Sequence, residues 1–449
     1  MACVNCIAAE APVPSRRPVC PKTDSHRADG SHLDFEVSRT REPNGLSAAL
    51  FAVDRGLRDP DPMSKVGVSM RRLYFSLTAA SLMLSLGVIG FAQDAEKKED
   101  KPADKPAAKA EEKPADKPAE KTEEKPAEQP AGPKQTEMVQ HLDNPSGVCV
   151  HPTTGHVFIT SRQGVFRLVL EPGKAKKIYL EVEGFPTDIY GKGPKYNVGP
   201  LGCALWGTDR LVVPDGSRPD GEEVVRVYKI EDAVPAKPRK EAEAEFTLGP
   251  IKGTGEGAKG EGNYYQAVVW NDAIYVTSNG DDTKGWVVSS KIADGKPGEL
   301  TGTIATKEAT QVDAPVAITV SPDKSQLVVG QMGEMNVPGD ALLTMYDKEG
   351  KLVKSYKTGL NDITGLAYSP SGKLYATDFA WAEEIKMNGG LFELTIEGEE
   401  VKTKKIIGLD RPTSLAFDKD GGLLITVFGG GKDTGDKPNG SLIRLEPGL

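Results

Sequence analysis

The chain has 449 residues and a net charge of −9, and 38% of its residues are hydrophobic but only 6% aromatic. An acidic balance without a basic, aromatic-interleaved patch excludes nucleic acid as a partner. The low aromatic content fits a globular part that is diluted by polar sequence, and the length allows two or three domains.

Residues 1–69 are rich in arginine, proline and aspartate and show no apolar periodicity, which predicts disorder. Cys3 and Cys6 have the spacing of zinc ligands, but no second pair follows them in the sequence. The alternative interpretation is that translation starts at Met63 or Met70 and that the preceding residues are an over-called extension.

Residues 70–92 have the form of a secretory signal peptide. Met70 is followed by two arginines and an apolar run, with the small residues Gly90 and Ala92 at the −3 and −1 positions. A basic start, an apolar core and small residues before the cleavage point define such a signal. We therefore expect a mature chain that begins near Gln93, is secreted or periplasmic, and has no membrane contact after cleavage.

Residues 93–134 repeat lysine, proline, alanine and glutamate. Proline interrupts helices, and the mixed charges leave nothing to bury. We expect this tract to be a disordered, extended linker.

From residue 135 to 449 a strand–turn–strand unit recurs six times at intervals of about 50 residues, the period of propeller blades with insertions. A third strand follows in each copy and a fourth in most. The first strands begin at Pro145, Pro200, Tyr264, Pro315, Ile363 and Pro412. Four-stranded units in radial repetition predict an all-β fold, a six-bladed β-propeller.

The ends of the chain predict how the ring closes. The last copy ends at Leu449 after three strands and lacks its outermost one. Residues 136–140 precede the first copy, and the Leu-Asp-x-Pro sequence after them matches the one before the strand that starts at Pro412. We therefore predict that residues 136–140 supply the outer strand of blade six, which protects its edge.

Two cysteines fall in the first strands of neighbouring blades. Cys149 and Cys203 differ by one position in the aligned repeats, so their side chains point to opposite faces of their own sheets and could meet across the interface of blades one and two. Packed sheets lie about 10 Å apart, whereas a disulfide needs Cα atoms within about 7 Å. Buried free thiols are the favoured prediction and a disulfide is the alternative.

Loop lengths predict where the site lies. The first-to-second turns are tight, whereas the crossings at residues 183–199 and 249–263 and the second-to-third loops are long. Both kinds of long segment belong to one side of a propeller, which we call the long-loop face. We predict that all insertions and the functional site lie there. The long second-to-third loops cover residues 214–222, 279–285, 330–340, 378–389 and 428–440.

Polar side chains gather at the axial ends of the second strands and in the loops that follow. The strand ends supply Ser161, Asp215, Ser278, Gln331 and Asp378, and the loops supply Arg162, Asn279, Asp281, Glu334, Trp381, Glu383 and Glu384. We predict a ligand site formed by Ser161, Arg162, Asp215, Ser278, Asn279, Gln331, Glu334, Asp378 and Trp381. Within it, the carboxylates of Asp378, Asp215 and Glu334 would suit Ca²⁺. The alternative is that water fills the channel mouth and these side chains are merely solvated.

Three segments carry a resemblance to known propellers: LDNPSGVCVHPTTGHVFIT, ITGLAYSPSGKLYATD and LDRPTSLAFDKDGGLLIT. They resemble NHL-type repeats and are similar to the gluconolactonase-like (calcium-dependent phosphotriesterase-like) superfamily over residues 135–449. In the lactonase branch, the resemblance implies a divalent metal near the channel, held by a Glu, two Asn-type positions and an Asp. Asp378 matches that Asp, whereas Thr364 replaces an Asn and Asp143 replaces the Glu.

The sequence thus predicts a monomeric, exported propeller that binds a ligand or a protein on its long-loop face. No Ser/His/Asp arrangement can be assembled there, so no catalytic residue is predicted. The competing interpretation is a metal-dependent lactone hydrolase of the gluconolactonase type.

Overall fold

The structure is a computed structural model and describes residues 132–171, 173–191, 193–251, 262–278, 284–429 and 438–449. The predictions for the N-terminal extension, the signal peptide and most of the linker fall on residues 1–131 and lie outside the described residues, as do Asn279 and Asp281. Within the described part of the chain, no helix combines the length and the apolar character that crossing a membrane requires.

The first half of the described chain forms two blades and an inserted hairpin. The strand β1 (Gln135–Leu142) precedes the blades. Blade one consists of β2 (Gly147–Val150), β3 (Val157–Ser161), β4 (Gly164–Val169) and β5 (Lys177–Glu183). The hairpin consists of β6 (Asp188–Tyr190) and β7 (Tyr196–Val198). Blade two consists of β8 (Ala204–Trp206), β9 (Arg210–Asp215), β10 (Val224–Lys229) and β12 (Phe246–Leu248). The connection between β10 and β12 contains β11 (Arg239–Lys240), which joins the sheet of blade one, and a 3-10 turn (Glu241–Glu243).

The second half forms four further blades. Blade three consists of β13 (Tyr264–Trp270), β14 (Ala273–Ser278), β15 (Trp286–Ala293), the short β16 (Lys296–Pro297) and β17 (Thr301–Ala305), and α1 (Thr306–Thr310) follows it. Blade four consists of β18 (Pro315–Val320), β19 (Leu327–Gln331), β20 (Leu342–Tyr346) and β21 (Leu352–Lys357). Blade five consists of β22 (Ile363–Tyr368), β23 (Leu374–Asp378), a 3-10 turn (Lys386–Asn388), β24 (Gly390–Glu397) and β25 (Glu400–Gly408). Blade six consists of β26 (Pro412–Phe417), β27 (Leu423–Val427) and β28 (Gly440–Leu445). The predicted six-bladed, all-β fold is confirmed.

The core is divided among the interfaces between neighbouring blades. Side chains alternate along each strand, so that Leu211 and Val213 of β9 pack towards blade one, whereas Val212 packs towards blade three. Six apolar clusters of this kind follow one another around the ring, including one between blades six and one. Each blade therefore buries both faces, and the ring is closed.

The predicted closure is confirmed. β1 pairs antiparallel with β28, from Gln135 opposite Leu445 to Leu142 opposite Gly440, and becomes the outer strand of blade six. The strand is longer than the predicted residues 136–140, and its last side chain, Leu142, is buried in the cluster between blades six and one. The two ends of the propeller are thus joined in one sheet.

The prediction that all insertions lie on one face is wrong. The third-to-fourth connection of blade two, residues 230–245, is also long, and it starts on the opposite face. It carries β11, which pairs in parallel with the outer edge of β5. The buried guanidinium of Arg167 holds this connection by donating to the carbonyl oxygen of Glu231 at 2.7 Å and to a carboxylate oxygen of Glu181 at 2.9 Å. The insertion therefore fastens blade two to blade one.

The two cysteines of the propeller are free thiols, as favoured by the sequence. Cys203 is buried and Cys149 is half-buried, and both lie in the interface between blades one and two. Burial, followed by the neighbouring Cys149 thiol, raises the pKa of Cys203 well above its ordinary value.

Candidate functional site on the long-loop face

Five aromatic side chains close the mouth of the axial channel. They are Tyr190, Tyr196, Phe379, Trp381 and Phe428, which we call the aromatic plug. The ring of Tyr196 is central and makes edge contacts to Trp381 at 5.3 Å and to Phe428 at 5.0 Å between ring centroids. Such edge-to-face pairs add to the stabilisation gained from burial alone. Beneath the plug lies a cavity of about 30 Å³, which is more than the roughly 10–15 Å³ that one water molecule needs.

The β6–β7 hairpin delivers two of the five rings. It crosses the face from blade one, and its tip is bound to blade five because Trp381 Nε1 donates to the carbonyl oxygen of Pro194 at 3.1 Å. Its second strand is bound by Asn144, whose side-chain amide donates to the carbonyl oxygen of Asn197 at 2.7 Å. Tyr190 and Tyr196 were not predicted as site residues. A signal was present, since two short aromatic-bearing runs flank the Gly-x-Gly-Pro turn at residues 191–194.

Asp378 ends β23 as predicted, but its carboxylate is fully engaged by the protein. One oxygen accepts from the backbone N–H groups of Asp362 at 2.9 Å and Ala380 at 3.1 Å. The other accepts from the backbone and the side-chain amide of Asn361 at 3.0 and 3.1 Å. Burial raises the pKa of Asp378, and these N–H donors oppose the rise. Asp378 therefore orders the crossing from blade four to blade five.

A second buried carboxyl, Asp362, lies beside Asp378. It is 1% exposed, and one of its oxygens accepts from the backbone N–H of Trp381 at 2.5 Å. Burial raises the pKa of Asp362 to about 8; the backbone donor opposes the rise, and the charges of Asp378 and Asp340 add to it. Asp362 was not predicted as a site residue, because its position just before β22 is the only sequence feature that distinguishes it.

Asp215 is also engaged by side chains of its own blade. One carboxylate oxygen accepts from the backbone N–H and the hydroxyl of Ser217, and the other pairs with Arg218 Nε at 2.9 Å. Arg218 and Arg226 both bind the carboxylate of Glu241 in the inserted connection. This network links the β9–β10 loop to the outer part of blade two.

The other predicted site residues are spread around the face. Ser161 is buried and accepts from the backbone N–H of Gln163 at 3.2 Å. Arg162 Nε donates to Asp143 at 2.8 Å. Gln331 donates to the hydroxyl of Thr310 at 3.0 Å, and its own amide oxygen is buried without a partner.

The remaining members of the predicted set are Ser278, Glu334 and Asn279. Ser278 is fully buried, and Glu334 is half-buried in the β19–β20 loop, where its backbone N–H donates to Asp340 at 3.0 Å. Asn279 lies outside the described residues. The structure therefore places most of this set on the long-loop face without bringing it together around one ligand.

Donors of the protein itself surround two of the carboxylates that were predicted as Ca²⁺ ligands. Asp378 accepts four N–H donors, which take up the lone pairs of its carboxylate, and the charge of Asp215 is neutralised by Arg218, whereas Ca²⁺ takes free carboxylate oxygens as ligands. Among the residues that the structure describes, no three His, Cys, Asp or Glu side chains are grouped to hold a metal ion. The surroundings of Asp378 and Asp215 do not favour the implied ion. The ligand roles of Asp378, Asp215 and Glu334 stay predictions.

An open groove lies beside the plug, between the β6–β7 hairpin, the β9–β10 loop and the start of β13. Its volume is about 380 Å³, and Asp188, Tyr190, Asp220 and Asn263 line it. We call this open space, with Asp188 and Asp220 in its walls, the acidic groove. The buried Glu223 does not line it, but the charges of both aspartates act on its carboxyl. Glu223 is 3% exposed, and burial raises its pKa to about 7, a rise that its backbone hydrogen bonds oppose and the two aspartates increase. Asp188, Asp220 and Glu223 were not predicted as site residues.

Comparisons with known proteins reveal likeness at the level of the fold. No protein-family profile matches the chain, and no curated protein matches it. Among solved structures, it is similar to a glucose dehydrogenase, with 13% identity over 70% of this chain and 100% of the other and a TM-score of 0.45. It is similar to a gluconolactonase from Xanthomonas campestris, with 14% identity over 70% of this chain and 89% of the other and a TM-score of 0.44.

A third solved structure is the apo form of the soluble aldose sugar dehydrogenase from Escherichia coli, with 14% identity over 70% of this chain and 99% of the other and a TM-score of 0.45. Identities this low say nothing about activity, and the NHL-type assignment stays a prediction.

Proposed function

We propose that this chain is a binding module, an exported propeller that recognises a ligand on its long-loop face. The shape of that face carries the proposal. The aromatic plug fills the mouth of the axial channel, and open space lies beside it in the acidic groove. A concave surface with a few convergent polar groups is the usual form of a ligand site.

The use of the buried carboxylates supports the same proposal. The carboxylate of Asp378 accepts from backbone N–H groups, and that of Asp215 pairs with Arg218 of its own loop. Both carboxylates therefore stabilise the loops of the long-loop face. A binding surface gains from such ordering, because loops held rigid lose less conformational entropy when a ligand binds. The walls of the groove are connections that begin and end at strands of the closed ring.

A lactone hydrolase is the second candidate, and Asp362 is the observation that favours it. Its pKa of about 8, raised by burial, would let this carboxyl carry or accept a proton near neutral pH. Perturbed carboxyls of this kind are common in catalytic acids and bases. Asp362 is 1% exposed and bound to the backbone N–H of Trp381, so a substrate could reach it only if this part of the face moved.

Two measurements on the full chain separate the candidates. Thermal melts with a panel of sugars, sugar acids, lactones and amines would reveal binding, since a ligand at 100 times its Kd stabilises by about 2.7 kcal/mol. Hydrolysis of δ-gluconolactone would be followed in the wild type and in Asp362→Asn. A melting shift with no turnover is expected. Turnover that is lost in a folded Asp362→Asn variant would overturn the binding proposal in favour of the hydrolase.

A further inference from the structure

The cavity beneath the aromatic plug has a largely apolar wall. Each of the six blades contributes to this wall, and the cavity volume is about 30 Å³. The hydroxyls in the wall are already used as donors: those of Ser146 and Thr364 donate to carbonyl oxygens of the next blade at 3.1 and 2.8 Å. The hydroxyl of Thr413 donates to a carbonyl oxygen before blade one at 2.8 Å. The rest of the wall consists mainly of Leu201, Met332 and the rings of the plug, and such a surface suits an apolar group.

One side chain lies between this cavity and the acidic groove. Tyr190 of the β6–β7 hairpin forms part of the wall of both spaces. Its side chain is half-buried, and its ring makes an edge contact to Trp381 at 5.7 Å between ring centroids. A rotation of the Tyr190 side chain away from the plug would join the cavity to the groove.

The surroundings of the Tyr190 side chain show what could take its place. Its ring packs against Trp381, and its hydroxyl lies close enough to the Tyr265 hydroxyl to influence it. Burial raises the pKa of Tyr265, and the nearby Tyr190 adds to the rise. Tyr265 itself belongs to the cavity wall. Aromatic rings favour edge contacts with one another, and a phenol hydroxyl can both donate and accept a hydrogen bond. The space between Trp381 and Tyr265 therefore fits a flat ring that carries one hydroxyl group.

We propose that the cavity beneath the plug, together with the position of the Tyr190 ring, is a binding site for a small neutral phenol that enters from the acidic groove. The phenol ring packs against Trp381, and its hydroxyl forms a hydrogen bond with Tyr265. Tyr190 competes for the same space, so its inward position lowers the apparent affinity for the ligand. This inference rests on the proposed binding function of the long-loop face and names the chemical class of its ligand.

Fluorine NMR titration of the full chain tests the proposal. The probe is p-fluorophenol, which is neutral at pH 7, and fluorobenzene is the matched control without a hydroxyl. We expect saturable binding of p-fluorophenol. Fluorobenzene should bind about fivefold more weakly, because it lacks the hydrogen bond to Tyr265. Absence of saturable p-fluorophenol binding by both the wild type and Tyr190→Ala would overturn the inference.

Three variants locate the site. Tyr190→Ala removes the competing ring and should tighten p-fluorophenol binding by about tenfold. Tyr265→Phe keeps the ring and removes the hydroxyl, so it should weaken p-fluorophenol binding about fivefold and leave the affinity for fluorobenzene unchanged. Tyr179→Ala is the control, because it removes a half-buried tyrosine from the outer strand β5 of blade one. It should change neither affinity.

Two results with these variants would contradict the inference. One is equal affinity for p-fluorophenol in Tyr190→Ala and Tyr179→Ala, and the other is an equal loss of affinity for both probes in Tyr265→Phe. A sugar or lactone that stabilises the wild type, while p-fluorophenol binds to neither the wild type nor Tyr190→Ala, would overturn the inference and leave the proposed function standing.

Discussion

Trp381 donates its indole N–H to the carbonyl oxygen of Pro194, 3.1 Å away, although Trp381 follows β23 of blade five and Pro194 lies in the crossing from blade one to blade two. This bond spans the channel mouth and joins two blades that share no interface. Around it the ring of Trp381 packs against Tyr190 at 5.7 Å and Phe379 at 4.9 Å between centroids. The hairpin is thus fixed by this hydrogen bond, by that of Asn144 to Asn197, and by a set of ring contacts.

Removing the tryptophan ring should release the hairpin. Trp381→Ala loses both the bond and the packing, and we expect a loss of about 3 kcal/mol in the free energy of unfolding. Trp381→Phe keeps a ring and loses the N–H donor, so it should cost only about 1 kcal/mol. Hydrogen exchange of the backbone amides at residues 184–199 should quicken strongly in the alanine variant. Equal exchange in both variants would show that the ring does not hold the hairpin.

Closure of the ring should depend on β1 and not on the tract before it. Deleting residues 132–142 removes the ladder with β28, whose hydrogen bonds are each worth about 0.5–1.5 kcal/mol, and takes Leu142 from the core. It also leaves an open sheet edge, which favours aggregation. Deletion of residues 93–131 is the control and should leave the melting temperature almost unchanged. The assignment would be wrong if the two deletions had equal effects in thermal melts and light scattering.

The fold could be predicted because every blade repeats the same pattern of strands with apolar side chains on both faces. The alternation of Leu211, Val212 and Val213, with each side chain fully buried, places apolar groups on both faces of one strand. That pattern fits a blade packed between two others. The closure could be predicted too, because the missing outer strand of blade six left an edge that only the N-terminal strand could cover. The inserted strand β11 could not be predicted, because its charged and proline-rich sequence is typical of a solvated loop.

The sequence places the candidate site residues at strand ends and in loops, but it does not reveal their contacts. Strand ends place Asp378 at the channel mouth, but the sequence does not indicate that neighbouring N–H groups would occupy both oxygens of its carboxylate. The contact of Tyr196 with Phe428 joins residues that are remote in the chain, so no local pattern could reveal it. Contacts between insertions of different blades are set by the tertiary fold alone.

Asp378→Asn tests whether this carboxylate acts in the fold or in metal binding. The asparagine side chain turns one acceptor into an N–H donor that faces the N–H groups of Asn361. Hydrogen bonds to charged groups are worth about 1.5–3 kcal/mol, so we expect a loss of about 2 kcal/mol in urea unfolding. EDTA should leave both proteins unchanged. A Ca²⁺-dependent stabilisation of the wild type that disappears in Asp378→Asn would instead establish the metal role that the resemblance implies.

The buried carboxyl of Asp362 should make stability depend on pH. Burial raises its pKa from 3.8 to about 8, so the folded state binds a proton more tightly than the unfolded state. The stabilisation from this proton is complete below the unfolded pKa, near 4, and is lost as pH rises through about 8. Asp362→Asn keeps an acceptor for the Trp381 N–H and removes the titration.

We therefore expect Asp362→Asn and the wild type to unfold with similar free energies at pH 4, with the variant more stable at pH 9. Asp378 and Asp340, the charged groups that face Asp362, are present in both proteins, so their own titration affects both. Asp294→Asn, in an exposed turn, should follow the wild type at every pH. Urea unfolding at pH 4, 7 and 9 measures these differences. A variant that lost stability with rising pH as steeply as the wild type would show that Asp362 is ionised in the folded protein throughout this range.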